Sequence, residues 1–361
     1  MENRVMRGDL EYIYNELTET EKEKFHDSNI VVTGAGGFIG YYLLNFLSEY
    51  ASELNIKNIL ALDTFILGKP EWIDVLSRRF DFFHLKEFNV ASDDIGAISD
   101  IGKYDSVIHM ASIASPTYYR KHPLATLDAN VWGLRKMLDY FSKRNLRGFL
   151  NFSSSEVYGD PDQTKVPTNE EYYGNVAING PRACYDEAKR FGETMCYVFN
   201  REFDLKVVSV RPFNNYGPGM KLNDARAPAD FANSVINEKA IEIYSDGSAT
   251  RTFTYISDAT VGYLKALYFG KFDYFNIGMD KPEITIAHLA KIFAEEGKKL
   301  LNHETEIRYL RSADSEYLVN NPKRRVPDIT KAREKLGFNP KVTVNHGVSK
   351  FLKYLKEEMI R

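Results

Sequence analysis

Tyr185 and Lys189 stand four residues apart. On a helix that spacing puts both on one face, so a phenol and an ammonium would meet. A tyrosine that takes a proton near neutral pH needs its pKa pulled down, and a cation one turn away does that. The bland alternative is a solvent-facing Tyr and Lys. Upstream, Phe152-Ser153-Ser154-Ser155-Glu156-Val157-Tyr158-Gly159 sets three hydroxyls and a carboxylate at the end of an apolar run. If that run is a strand of an open α/β sheet, its carboxyl end is where ligands bind. A hydroxyl beside the phenol would polarise the carbonyl made when an alcohol is oxidised. The alternative for residues 153–155 is a polar loop.

A second constellation lies near the start of the chain. Ile30-Val31-Val32 is followed by Thr33-Gly34-Ala35-Gly36-Gly37-Phe38-Ile39-Gly40 and a helical pattern over 41–50. Gly34, Gly37 and Gly40, with Gly36 as an extra, would let backbone close on a diphosphate. The helix N-terminus offers it unpaired N–H groups. Asp63 follows at the end of the next apolar run, about where the ribose-binding acid of such a turn falls. A carboxylate there accepts from both ribose hydroxyls and repels a 2′-phosphate. No Arg follows closely, so NAD is expected rather than NADP.

These groups need a frame. Short apolar runs at 58–62, 82–85, 106–110, 148–152 and 205–210 alternate with helical stretches, notably 124–143 and 184–202. Such alternation predicts an α/β fold: a Rossmann-type, doubly wound parallel sheet with helices on both faces. After Arg211 the texture turns to short elements and turns, ending in a helix at 348–359. The expected division is a helical extension over 1–28, a cofactor-binding Rossmann domain over 29–211 carrying the Tyr/Lys helix, and a smaller mixed α/β substrate lobe over 212–361. Leu10, Ile13, Tyr14 and Leu17 recur at helical spacing, so the extension should lie on the body.

Composition removes several classes. A net charge of −3 argues against a nucleic-acid or anionic-membrane surface. Two cysteines, Cys184 and Cys196, imply no disulfide framework and fit a reducing cytoplasm. The seven histidines form no H-x-x-x-H pair, so no metal is expected. No apolar run reaches the roughly 18 residues of a membrane span, and the N-terminus lacks a signal-peptide core.

Together the glycine loop, Asn89-Val90, His109-Met110-Ala111-Ser112, the Ser-Ser-Glu strand end and Tyr185/Lys189 resemble, in order, the extended short-chain dehydrogenase/reductase family. Within it the chain is most similar to the UDP-glucuronate decarboxylases. The similarity runs through Gly180-Pro181-Arg182-Ala183-Cys184-Tyr185-Asp186-Glu187-Ala188-Lys189-Arg190 and through Ser155-Glu156-Val157-Tyr158-Gly159-Asp160-Pro161. It continues in Ala114-Ser115-Pro116, Asp246-Gly247-Ser248 with Thr250-Arg251, and Lys323-Arg324-Arg325 before Pro327-Asp328-Ile329. Gly219, Ala225, Asp230 and a longer segment at 312–321 depart from the pattern.

The resemblance implies a lyase that oxidises C4 of a glucuronate with NAD, loses carbon dioxide from the β-keto acid and re-reduces C4. Tyr185 would take the C4 proton, with Lys189 lowering its pKa and binding the nicotinamide ribose. Ser154 would bond the C4 oxygen, Ser155 would adjoin it, and Glu156 would handle the sugar near C5. Phe38, Ile39, Asn89, Val90 and Ala111 would complete the cofactor site. Ser115, Pro116, Tyr119, Asn214, Arg226, Tyr244, Arg251 and Arg325 would line the nucleotide-sugar site. Of these, Asn214 and Arg251 would meet the diphosphate and Tyr244 the base. A UDP-linked substrate is expected, as is a homodimer whose two long helices form a four-helix bundle with their copies. A 4,6-dehydratase and a 4-epimerase remain alternative readings, and a non-catalytic binding protein a remote one. The dehydratase reading suffers because Ser155 stands where the relatives' catalytic Asp would be.

Overall fold

Most of the β-branched and aromatic runs become strands buried on both faces, as a sheet covered by helices on each side requires, and only the edge strand at Phe83–Glu87 is largely open. The computed structural model describes residues 3–312, 314–316 and 319–360. Its main sheet comprises β1 (Asn29–Thr33), β2 (Asn58–Asp63), β3 (Phe83–Glu87), β4 (Ser106–His109), β5 (Gly148–Phe152), β6 (Val207–Pro212) and β7 (Asp273–Ile277). The order is β7-β6-β5-β4-β1-β2-β3, with every pairing parallel. Strand order reverses between β1 and β4. The chain leaves those strands in opposite directions and opens a crevice beyond Thr33 and His109.

The longer helices are α1 (Arg4–Glu16), α2 (Phe38–Glu49), α3 (Ala183–Phe203), α4 (Ala227–Ile236), α5 (Ile256–Leu267), α6 (Ile286–Leu301) and α7 (Val344–Met359). Strand β7 and helix α5 come from beyond residue 212, yet β7 forms one edge of the main sheet and both contribute side chains to its core. The smaller lobe is what remains: α4, α6 and α7 around Tyr216, Phe231, Phe293 and Phe351, with short strand pairs at its rim.

The stretch expected as one helix over 124–143 has three parts: Pro123–Leu127, a π-helical turn at Asp128–Gly133, and Leu134–Phe141. The widened turn carries Gly133 against Val90, where an added Cβ would come 2.5 Å from Cγ2. The segment at 312–321 falls partly on residues 313, 317 and 318, which lie outside the described residues. Among the described residues no helix is long and apolar enough to cross a membrane, and no group of three or more His, Cys, Asp or Glu could hold a metal ion.

Helix α1 docks through Met6, Leu10 and Ile13, and it buries a carboxylate that apolar spacing does not announce. Asp9 is fully buried, and its Oδ2 accepts from the hydroxyls of Tyr42 and Tyr255 at 2.7 Å each. Lys350 pairs with its other oxygen. A buried ion is tolerated only when paired and hydrogen-bonded, and here three elements distant in sequence supply the partners. Replacing Asp9 with Ala strips two buried phenols of their shared acceptor and Lys350 of its counter-ion. The expected loss is about 3 kcal/mol, measured by urea unfolding. A loss under about 0.5 kcal/mol, the level of an ordinary surface substitution, would show that the network does not hold the helix.

Candidate active site

Beyond the parted ends of β1 and β4 lies a cavity of about 2090 Å³ that reaches across to the smaller lobe. One drug-sized ligand occupies roughly 300–1,000 Å³, so the space is sized for two molecules side by side. Every candidate residue named from the sequence borders it.

At the sheet end the backbone is crowded. Gly34 has φ +69°, and a Cβ there would lie 2.7 Å from the Met110 carbonyl carbon and 2.8 Å from the Ala111 nitrogen. Only glycine lets the turn after β1 press against the end of β4. Helix α2 then begins after Gly37 with no side-chain cap, which leaves its first N–H groups for an anion. Asp63 closes the far side. Its Oδ2 accepts from the Gly36 N–H at 2.9 Å and its Oδ1 from the Phe65 N–H at 2.7 Å. An anion cradle and a carboxylate at the next strand end are what a dinucleotide requires, so these residues fit NAD. Val90 is buried below, and Asn89 turns its Oδ1 onto the Ala91 N–H at 2.9 Å.

The reactive centre forms where β5 ends and α3 begins. Tyr185 is buried against Tyr119, the rings stacked 5.2 Å apart at 13°. Ser154 hydrogen-bonds the phenol and accepts from the Glu156 N–H at 3.2 Å. Ser155 is buried in the turn between them. Lys189 corrects the charge argument. Its Nζ donates to the Phe152 carbonyl at 2.6 Å and lies 5.6 Å from the Tyr185 ring centroid. Burial lowers Lys189 to about 7, so its ammonium is weakened as a cation near neutral pH. Burial, partly offset by the Ser154 hydrogen bond, pushes Tyr185 up to about 12. In the bare chain burial is thus the largest influence on the phenol.

The stronger electrostatics lie one step further along. Oε2 of Glu156 is 2.6 Å from Nη2 of Arg182 and 2.6 Å from Nη2 of Arg325. Burial would raise Glu156, but the two guanidiniums outweigh it and hold the carboxyl far below its usual range. Asp186, 3.4 Å from Arg182, goes the other way, raised by burial and by the charge of Glu156. Arg251 completes the group. Burial and Arg325 lower it to about 9.

On the nucleotide side several expected ligands are already engaged. The Asn214 amide donates to the Thr252 carbonyl at 2.8 Å. Arg251 donates to the carbonyls of Thr250, Pro322 and Lys323 at 2.7, 2.6 and 3.1 Å, so its cation faces the cavity with most donors spent on the fold. Arg226 is paired with Asp224, whose carbonyl accepts from the Ser115 hydroxyl at 2.8 Å. Pro116 opens the short helix Pro116–Lys121 that carries Tyr119. Tyr244 donates to Glu242 at 2.5 Å.

Sequence reasoning passed over Arg182 and Asp186. Both lay inside the quoted motif, and Arg182 precedes Tyr185 by three residues, on the same helical side. Asp230, marked as a departure, borders the cavity, and burial together with Asp224 raises it to about 6.

A model of the NAD dependent epimerase/dehydratase family matches residues 30–278. The chain is 33% identical over 343 residues to UDP-glucuronic acid decarboxylase 1 of Danio rerio, across 95% of this chain and 75% of that one. Among solved structures it is similar to UDP-glucose 4-epimerase of Thermotoga maritima with UDP-glucose. The TM-score is 0.77 at 25% identity, over 92% of this chain and 99% of that one. It is also similar to UDP-glucuronic acid 4-epimerase of Bacillus cereus in complex with UDP-glucuronic acid and NAD. There the TM-score is 0.73 at 25% identity, over 91% and 99% of the two chains.

Asp230 yields a pH test. Below about 6 its carboxyl is neutral, and above it an added negative charge faces any anion in the cavity. Affinity for an anionic nucleotide such as UDP is expected to fall as pH rises through that value. Asp230→Asn is expected to flatten the fall, read by titration calorimetry across pH 5–8. An unchanged pH profile in the variant would place the anion elsewhere.

Proposed function

The chain belongs to the NAD dependent epimerase/dehydratase family, and from that premise we propose that it is an NAD-dependent decarboxylase of a nucleotide-linked glucuronate, UDP-glucuronate first. The observation that carries this reading is the buried set of Glu156, Arg182 and Arg325 beside Tyr185. A 4-epimerase needs a base, a hydroxyl and room for the sugar to turn. It leaves an ionised carboxylate fixed between two arginines unexplained. Sequence likeness to decarboxylases over 95% of the chain supports the same choice.

Gly34, Gly36, Gly37, Phe38, Ile39, Gly40 and Asp63 would hold NAD, with Asn89, Val90 and Ala111 at its side and Lys189 toward its nicotinamide ribose. Bound there, NAD supplies reversible oxidation of the sugar at C4, which turns the C5 carboxylate into that of a β-keto acid. The chain's own residues handle protons and charge. Tyr185 would take the C4 hydroxyl proton as phenolate, which the positive charge of a bound oxidised nicotinamide would favour against the burial that raises the phenol. Ser154 donates to the C4 oxygen, on which electrons collect as carbon dioxide leaves. Ser155 backs this strand end. Glu156, kept ionised by its arginines, orients the sugar or a water near C5. Lys189, fixed by the Phe152 carbonyl, holds the floor of the site. Ser115, Pro116, Tyr119, Asn214, Arg226, Tyr244, Arg251 and Arg325 would enclose the nucleotide sugar.

The protein would work as a cytoplasmic homodimer. Leu124, Trp132, Phe191 and Val198 are 74%, 62%, 51% and 45% exposed along residues 124–143 and 184–202. Apolar side chains outside a helix's core-facing stripe call for a second partner. Light scattering at micromolar concentration is expected to give twice the chain mass, and a monomer would end that part of the proposal.

Incubation with NAD and UDP-glucuronate, followed by product analysis, tests the reaction. Carbon dioxide and a nucleotide-linked pentose are expected. A C4 epimer with its carboxylate intact would replace this reading with the 4-epimerase, which likeness to the Bacillus cereus enzyme favours as the second choice. Tyr185→Phe is expected to lower turnover by at least about 100-fold while NAD stays bound.

A further inference from the structure

At the reactive end of the cavity Nε of Arg325 and the hydroxyl of Tyr119 are buried without a hydrogen-bond partner, and Nε and Nη2 of Arg182 have only their ion-pair contacts with Asp186 and Glu156. All three residues border the cavity. Buried polar groups are nearly always paired in native proteins, so orphans gathered in one place call for a partner that the chain does not supply. Arg211 shows the contrast. It is buried too, but Glu193, the Tyr158 hydroxyl and the Glu170 carbonyl all accept from it.

The same cluster is short of negative charge. Arg182 and Arg325 share a single ionised carboxylate, Glu156. Asp186 reaches Arg182 only at 3.4 Å and, raised by burial and by Glu156, carries less than a full charge near neutral pH. Arg251 adds a third cation. The missing partner is therefore an anionic acceptor. Its place is set by Tyr119, whose ring stacks on Tyr185 and lies 5.9 Å from the Arg182 guanidinium carbon. That is the end of the cavity where Tyr185 works.

We infer that Arg182 is a specificity-determining residue that, with Arg325 and Tyr119, receives the carboxylate of the sugar. The inference rests on the decarboxylase reading and adds the residue that selects a uronate over a neutral hexose. A guanidinium meets a carboxylate with parallel charge-assisted bonds. A hydroxymethyl group in the same place offers one neutral oxygen instead of two charged ones and leaves part of the buried donor set unmatched, a penalty that discriminates more strongly than a lost contact alone. Glu156 occupies the same two arginines, so the incoming carboxylate also meets like charge.

The test is titration calorimetry on the full chain saturated with NAD, in a Tyr185→Phe background that blocks turnover. The ligands are UDP-glucuronate, UDP-glucose and UDP. Arg182→Gln and Arg182→Lys are each expected to weaken UDP-glucuronate by about 10- to 100-fold and to leave the other two within about twofold. Equal loss for all three ligands, or no loss for UDP-glucuronate, overturns the inference. Were Arg182 only the counter-ion of Glu156, the Glu156→Gln/Arg182→Gln double variant would regain UDP-glucuronate affinity. That recovery would also overturn it, whereas persistent weakness supports it. If a thermal melt shows Arg182→Gln unfolded, the Lys variant carries the comparison. Carbon dioxide release by the unmutated protein is scored separately. Intact preference for UDP-glucuronate without release ends the decarboxylase reading and leaves the role of Arg182 standing.

Discussion

One carboxylate organises the centre of this molecule. Glu156 leaves the end of β5 and meets Arg182 at the start of α3 and Arg325 in the C-terminal part of the chain. Without it, two guanidiniums would face each other across a buried space, and removing one partner of such a set costs far more than the set contributes net. The pairing thus fixes three separate pieces of backbone around the phenol of Tyr185. It also explains why the strand end carries an acid at all, since a hydroxyl alone would serve redox chemistry at C4.

Behind that clamp stands a second buried layer. Ser153 donates to Glu193 at 2.5 Å, and Glu193 also receives Arg211, which donates to the Tyr158 hydroxyl at 2.6 Å. The Tyr158 hydroxyl donates to Oδ1 of Asn276, whose amide donates to the carbonyls of Thr168 and Asp328. Strand β5, helix α3, strand β7 and the loop before α3 are therefore joined by side-chain bonds as well as by packing. Ser154 and Glu156 sit on this support. A fully satisfied polar network fixes geometry more tightly than apolar contact does, and a proton-transfer site needs that precision.

What could be seen in the sequence was whatever chemistry is local. The glycine turn, Asp63 at a strand end and the Tyr185/Lys189 spacing each lie within one turn or one βαβ unit, so residue type and interval disclosed them. The clamp could not be seen that way, because Arg325 meets Glu156 across 169 residues of chain. Nor could the seventh strand, which returns to the sheet after a long excursion. The protonation of Lys189 was out of reach for a related reason. Spacing places two groups on one face but says nothing of how much water remains there, and burial decides the protonation of both. The π-helical turn at Asp128–Gly133 belongs to the same class, since the apolar pattern around it suits a regular helix.

Helix α1 ties its own docking to the rest of the chain. Its carboxylate needs Tyr42, Tyr255 and Lys350, the second of them 246 residues away. Contacts of such sequence separation pay the full entropy of closing a long loop before they return anything. Asp9 has no acceptable buried environment until all three are in place. The docked state of α1 therefore depends on the sheet and the smaller lobe being in place together. Its docking then reports that both lobes have closed, so hydrogen exchange of its amides follows the integrity of the whole rather than that of its own thirteen residues.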